Sequence, residues 1–357
     1  MICSQENLDY HYFRFTDGAV RSCFSETSFR DVISTEAFRR LKSIHFLGSI
    51  DYLLSGPRTG VEERHTRYDH SLGVASLAKR FALAKGLSGN EYETIVIAAL
   101  LHDIGHAPLS HSLEPTFVSI FDVNHHLVGE KILRGEVRLG VKLAKALERL
   151  GINNFEVMSL ISGVGCGIGR EIFSRAINVD TIEGIIRSAS YQQRKEVLLN
   201  PVAVIDAYVD LGNPSHEILD EFWRTKDYVY SSIIQSKIGL VADYICKKYM
   251  ELNSSSFSAS YYYGTEAELK KDHANLFCAL DLFGRTGAIL PSLVRDGEEI
   301  VYTKRKFFID ASIPLRDYRD VDRRYRQVKE RKVVSIKKTG GEGAHGYSEH
   351  NESRRLF

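Results

Sequence analysis

Seven of the thirteen histidines fall in one short segment: His65, His70, His102, His106, His111, His125 and His126. A solvated surface does not require that clustering, whereas a site that holds a metal or moves protons does. His102 and Asp103 are adjacent. An imidazole beside a carboxylate suits a divalent cation such as Mn, Fe, Co, Zn or Mg. His70 upstream and Asp180 in the run INVDTIE complete an expected set of four ligands. Four protein ligands leave room for water on an ion that prefers six. His106, His111 and His126 are expected to donate to phosphate or to act as general acids, because an alkoxide leaving group needs a proton. Glu114, three residues after His111, is placed to orient it. Arg67, three residues before His70, offers a planar fork that matches phosphate oxygens. His125 reads as structural or exposed, and Arg39 and Arg40 as solvated residues of an amphipathic helix.

Helices must position these groups. Residues 69–85 carry apolar side chains at helical spacing, which sets His70 at a helix start. Asn90 and Glu93 have the spacing of a capping box. It opens TIVIAALLHD (94–103), apolar all round and therefore a buried helix. Its end falls at His102 and Asp103, where buried polar groups need partners. Further helices are predicted over 130–150, 172–190 and 215–250. The Ser-rich run NSSSFSAS (253–260) reads as a linker or loop. Asp296 and Gly297 have the signature of a hairpin turn. From Gly340 the chain is Gly-rich and polar, and reads as disordered.

Composition narrows the class. The hydrophobic fraction of 43% and charged fraction of 26% are those of a soluble globular protein. No stretch approaches the roughly 18–20 apolar residues of a membrane span, so no membrane association is expected. The N-terminus lacks a basic segment followed by an apolar run, so no secretory signal is expected. Five cysteines, far apart and without CxxC spacing, argue against a disulfide framework or a cysteine zinc site. A reducing cytoplasm fits. Between Lys304 and Lys338 basic residues outnumber acids, with tyrosines interleaved. The reading taken is a charged helix with pairs at i,i+3 and i,i+4. A nucleic-acid surface is the alternative.

The runs RYDHSLG (67–73), LHDIGHAPLSH (101–111) and NVD (178–180), with FRRLKSIHFLG (38–48) upstream, resemble the HD-domain superfamily of metal-dependent phosphohydrolases. They are most similar to its dNTP triphosphohydrolase branch, the SAM-and-HD-domain dNTPase and dGTPase-like proteins. The resemblance covers roughly residues 15–250. It implies an all-α HD-domain fold with a smaller C-terminal α or α+β extension. Residues 1–250 would form the phosphohydrolase domain, 261–338 a partly basic extension and 340–357 a disordered tail. It implies His70, His102, Asp103 and Asp180 as ligands of a divalent metal, manganese among the options. Arg67 and His106 would lie near phosphates, and His111, Glu114 and His126 near the scissile bond. Triphosphate release from a dNTP and a homo-oligomer are implied as well. Thr181, Gly184 and Ser188 stand where that branch has Lys, Tyr and Asp, and Phe46 stands where it has a sugar-reading Gln. A phosphodiesterase or nuclease acting on cyclic or oligonucleotide substrates is therefore a second reading, and a non-catalytic nucleotide-sensing module a third.

Overall fold

The computed structural model describes residues 17–54, 65–164, 169–191, 199–211, 216–294, 297–338 and 345–347. The architecture is a helical core with a small α+β extension at its C-terminal side. The helices that position the chemistry are α1 (Glu36–Arg40), α2 (Arg67–Ala84), α3 (Gly89–Leu101), α4 (Glu114–Phe121), α5 (His125–Leu133), α6 (Val179–Ser190), α7 (Glu217–Val229), α8 (Lys237–Leu252) and α9 (Glu266–Asp272). Every residue of α3 from Thr94 to Leu101 is buried, as its all-round apolar sequence requires. It packs along α2, and α6 lies on another side of α2. That arrangement brings the start of α2, the end of α3 and the start of α6 together. No helix among the described residues is long and apolar enough to cross a membrane.

Local chemistry sets the ends. Thr66 caps α2 by accepting from the Asp69 amide at 3.2 Å. Asn178 and Thr181 form a reciprocal capping box at the start of α6. The capping box expected at Asn90 does not form. The cap is Ser88 and α3 begins at Gly89, φ +58°, two residues earlier than an Asn90 cap would start it, and Glu93 instead accepts from Ser28 Oγ at 3.1 Å. The helix expected over 130–150 breaks between Leu133 and Val141. The one expected over 215–250 breaks at a π turn, Tyr230–Ile234, before Ser236 caps α8. The Ser-rich run forms two short 3₁₀ turns that carry Tyr262 into the core. Buried apolar side chains form one cluster from Val20 to Ile336.

The basic C-terminal stretch is mostly strand, which corrects the charged-helix reading. Strand β1 (Glu299–Ile309) pairs antiparallel with β2 (Tyr325–Lys338), from Glu299 opposite Ser335 to Ile309 opposite Tyr325. Only Tyr318–Arg324 between them is helical. Alternating β-branched and aromatic residues outweigh the i,i+3 charge pairs there. The hairpin turn expected at Asp296 and Gly297 lies partly outside the described residues, and the partner of β1 is β2, downstream. Residues 345–347 form a short β3 on β2, and the rest of the segment expected to be disordered lies outside the described residues. The extension docks on α7: Arg324 grips Asp220 through two bonds, at 2.9 and 2.6 Å, and Trp223 Nε1 donates to Phe308 O at 3.1 Å.

Arg40, expected to be solvated, is buried. It donates to the carbonyls of Gly264 at 3.0 Å, Ile104 at 2.9 Å and His106 at 2.8 Å. Burial pushes its guanidinium down to about 10. Charge-assisted bonds of this kind are worth about 1.5–3 kcal/mol each. Arg40→Met is expected to lower unfolding free energy by about 3 kcal/mol or more in urea titrations, and Arg40→Lys to recover only part of it, because an ammonium lacks the planar fork.

Candidate metal centre and histidine cluster

His70 is fully buried one turn into α2. Its Nδ1–H donates to Glu183 Oε2 on α6. The Arg187 fork grips the same carboxylate, with Nε 2.9 and 3.1 Å from its two oxygens. Arg187 Nη1 lies 3.0 Å from His65 Nδ1. Glu183 and Arg187 are both without exposure. The approach of α6 depends on Gly73, where an added Cβ would stand 2.3 Å from Glu183 Oε1. Gly73→Ala is expected to push Glu183 off His70 and weaken cation binding by about 10–100-fold, the scale for losing an outer-shell partner; a manganese titration checks it.

His102 follows the last residue of α3, and its Nδ1–H donates to Ala99 O at 2.8 Å. With both Nδ1 atoms donating, both Nε2 atoms face the centre. They stand 3.2 Å apart. Asp180 Oδ1 is 3.1 Å from one and 3.7 Å from the other. Asp103 oxygens lie 3.5 Å from each. Ligands about 2.0–2.2 Å from one ion stand roughly 3–4 Å from each other, so His70, His102 and Asp180 could hold a divalent cation, with Asp103 beside both imidazoles. The electrostatics agree. Burial opposes the Asp103 charge, but Arg67, His102 and His106 together outweigh it and hold that carboxyl well below its usual range. Lost hydration opposes the Asp180 charge, and His102 and His70 outweigh it. Burial likewise opposes a proton on His102, yet Asp103 and Asp180 push it up to about 9. Two ionised carboxylates thus concentrate negative charge where two imidazole Nε2 atoms converge, and a cation bound there would displace the His102 proton.

Asp103 also faces a second cluster, with its Oδ1 3.2 Å from His106 Nε2. His106 is buried, and burial together with Arg67 keeps it neutral. Its Nδ1 has no hydrogen-bond partner among the described residues. Glu114 opens α4 and collects four donors. These are His111 Nδ1 at 3.0 Å, His125 Nδ1 at 2.5 Å, the His125 amide at 2.9 Å and Tyr262 OH at 3.2 Å. Burial opposes the Glu114 charge, but His111 and His125 hold it far below the carboxylate range. The His111 side chain is 63% exposed, so with Nδ1 on Glu114 its Nε2 is open to a ligand. The His125 ring stacks on His106, 4.4 Å between centroids.

His126 is exposed beside His125, at 3.9 Å between rings. The sequence singles out His126 and reads His125 as structural or exposed; the structure also brings His125 onto Glu114. The overlooked signal is positional. His125 is the first residue of α5 after the Asn124 cap, where an amide has no helical partner and seeks an acceptor. Glu114 is that acceptor.

Arg67, expected at phosphate, is buried and turned inward, with Nη1 2.5 Å from Asp103 Oδ2 and Nε 3.1 Å from Ser110 Oγ. The loop from His106 to His111 is strained: Leu109 and Ser110 have φ of +59° and +47°, each costing about 1–2 kcal/mol. Ser110 Oγ donates to His45 O at 2.9 Å, and the Leu109 amide to Glu266 Oε1 at 3.3 Å. Glu266, buried on α9, also accepts from the His45 amide and from Tyr52 OH. Lys226 is a further group that sequence reasoning missed. It is buried on α7, its Nζ donates to Ala176 O at 3.2 Å, and burial pushes it down to about 8 against the pull of Asp180. Phe46 packs on His70 at 4.6 Å, and Ser188 Oγ is used up on Gly184 O at 2.7 Å.

Residues 67–206 match the HD domain model. A 90-residue stretch is 44% identical to an uncharacterized MG461 homolog of Mycoplasma pneumoniae, covering 24% of this chain and 20% of that one. MG461 of Mycoplasma genitalium is 25% identical over 57% of this chain and 51% of its own length. The human deoxynucleoside triphosphate triphosphohydrolase SAMHD1 is 34% identical over 25% of this chain and 14% of its own. The chain thus spans about half or less of the length of these relatives. The match lies over α2, α3, α4, α5 and α6, the helices that carry both clusters, and by it residues 67–206 of this chain form an HD domain.

Proposed function

We propose that this chain is a metal-dependent phosphohydrolase acting on nucleotides in the manner of a dNTP triphosphohydrolase. The observation that carries this reading is the position of Asp103. It lies between the four-donor centre and His106, so a cation site and a proton-bearing site share one carboxylate. His70, His102, Asp103 and Asp180 would hold a divalent cation, manganese being the first to test, which supplies Lewis acidity and an activated water. Glu114 fixes the His111 ring, whose Nε2 protonates the leaving oxygen. Neutral His106 donates from Nε2 to Asp103, and His126 lies beside the cluster. Lys226 and Arg67 offset phosphate charge. Residues 1–250 carry the chemistry, and 261–338 brace it through Tyr262 and Glu266. In this reading the protein works in the cytoplasm as a homo-oligomer.

A phosphodiesterase or nuclease is the second reading. Phe46 covers His70, and the Ser188 hydroxyl is spent within its own helix, so neither offers a polar group to a deoxyribose. A product assay separates the two. Protein with Mn, Mg, Fe or Co is incubated with dNTPs, NTPs, cyclic nucleotides and short oligonucleotides. Intact triphosphate plus a deoxynucleoside is expected. Mononucleotides or linearised cyclic nucleotides transfer the protein to the second class, and tight binding without product at any metal sinks both. Glu114→Gln is expected to lower kcat by about 10²–10⁴-fold, the contribution of general acid–base catalysis, with manganese affinity unchanged in a parallel titration.

A further inference from the structure

The β1–β2 ribbon carries nine lysines and arginines against two glutamates. The two faces treat that charge differently. On one face Glu330 pairs with Lys306 at 2.9 Å and with Lys332 at 3.7 Å, and Arg326 pairs with Asp310. On the other face, Arg305 stands opposite Lys329, Thr303 opposite Arg331 and Val301 opposite Val333. Lys329 and Arg331 are exposed, and neither has an ion-pair partner among the described residues. Val301 and Val333 are 50% and 40% exposed.

That second face runs back toward the metal centre. Arg305 Nη1 meets Tyr230 OH at 3.1 Å. Phe307, two residues on and on the same face, packs on Tyr230 at 4.9 Å and lies under Lys226. Lys226 in turn reaches Ala176, four residues before Asp180. The cations Lys226, Arg305, Lys329 and Arg331 therefore form a track that ends at the wall of the site. Strand addition is not the use of this ribbon where it meets the helices. Gln235 already bonds Thr303 O and the Arg305 amide, and Asp227 bonds the Phe307 amide.

We propose that this face binds the phosphate backbone of a single-stranded nucleic acid, with Lys329 and Arg331 as phosphate contacts and Val301 with Val333 as an apolar seat for an unstacked base. Two uncompensated cations at successive positions of one face, Lys329 and Arg331, suit a polyanion. The exposed valine pair favours a single strand, whose base faces are open, over a duplex, whose base faces are stacked inside. The inference stands apart from the hydrolytic reading.

Anisotropy of a labelled dT20 oligonucleotide, titrated with the whole protein in EDTA so that no turnover occurs, tests it. Lys329→Glu with Arg331→Glu is expected to weaken binding at least tenfold. It should also flatten the plot of log affinity against log salt by about 1.4, the value for two single-strand phosphate contacts. Lys142→Glu with Lys145→Glu, exposed on another helix, controls for net charge and is expected to leave binding near that of the unsubstituted protein. Circular dichroism melts confirm that each variant folds. Binding retained by the ribbon variant overturns the proposal. So does an equal loss in the control pair, which reduces the effect to net charge, and so does tighter binding of a 20-base-pair duplex. Because the isotherm needs no catalysis, its failure leaves the phosphohydrolase reading where the product assay puts it.

Discussion

Asp103→Ala is expected to abolish turnover and to remove measurable manganese binding in a calorimetric titration. Asp103 lies within ligand distance of both central histidines and also accepts from Arg67 and His106. Loss of a single oxyanion donor is worth about 10²–10³ in kcat. Asp103 joins a cation site to a proton site, so the expected loss is at least ~10³-fold. The alanine variant also leaves Arg67 buried without its carboxylate, and breaking a buried pair costs about 3–5 kcal/mol. Misfolding would then imitate a catalytic defect. Asp103→Asn keeps the shape and one acceptor oxygen, and His102→Ala removes a ligand without orphaning Arg67. Both are expected to fold, to melt near the unsubstituted protein, and to be inactive. Substantial hydrolysis by folded His102→Ala and Asp103→Asn would remove the metal from the mechanism.

The parts of this site that were legible in the sequence are those whose chemistry is unusual for their position. A His-Asp pair ending an all-apolar helix cannot be a routine surface feature, and Asp180 at a capped helix start has few other duties. Glu183 and Arg187 escaped notice because Glu and Arg four residues apart on a helix read as a solvated pair. Only the packing of α6 on α2, made possible by Gly73, turns them inward. Arg40 escaped for the same reason: nothing local shows that four backbone carbonyls from distant segments converge on it. The C-terminal stretch misled because its i,i+3 charge spacing suits a helix, while its period-two apolar alternation suits a strand. The anchoring that favours the strand, Arg324 on Asp220 and Trp223 on Phe308, comes from α7, 104 residues upstream in one case and 85 in the other.

Glu183→Leu carries the second large expectation, on stability and metal affinity together. It leaves Arg187, which is without exposure, with no carboxylate, and the expected loss is about 3–5 kcal/mol in urea unfolding. It also removes the acceptor that fixes His70 Nδ1, for which manganese affinity is expected to fall about 10–100-fold. The two effects separate in the double variant Glu183→Leu with Arg187→Met. A buried ion pair exchanged for apolar residues of similar volume is often neutral or stabilising, so unfolding free energy should return toward that of the unsubstituted protein. Manganese affinity should stay low, because neither new side chain can accept from His70. If affinity returned along with stability, Glu183 would be a partner for Arg187 and nothing more, and the orientation of His70 would have to come from the packing of Phe46 against its ring.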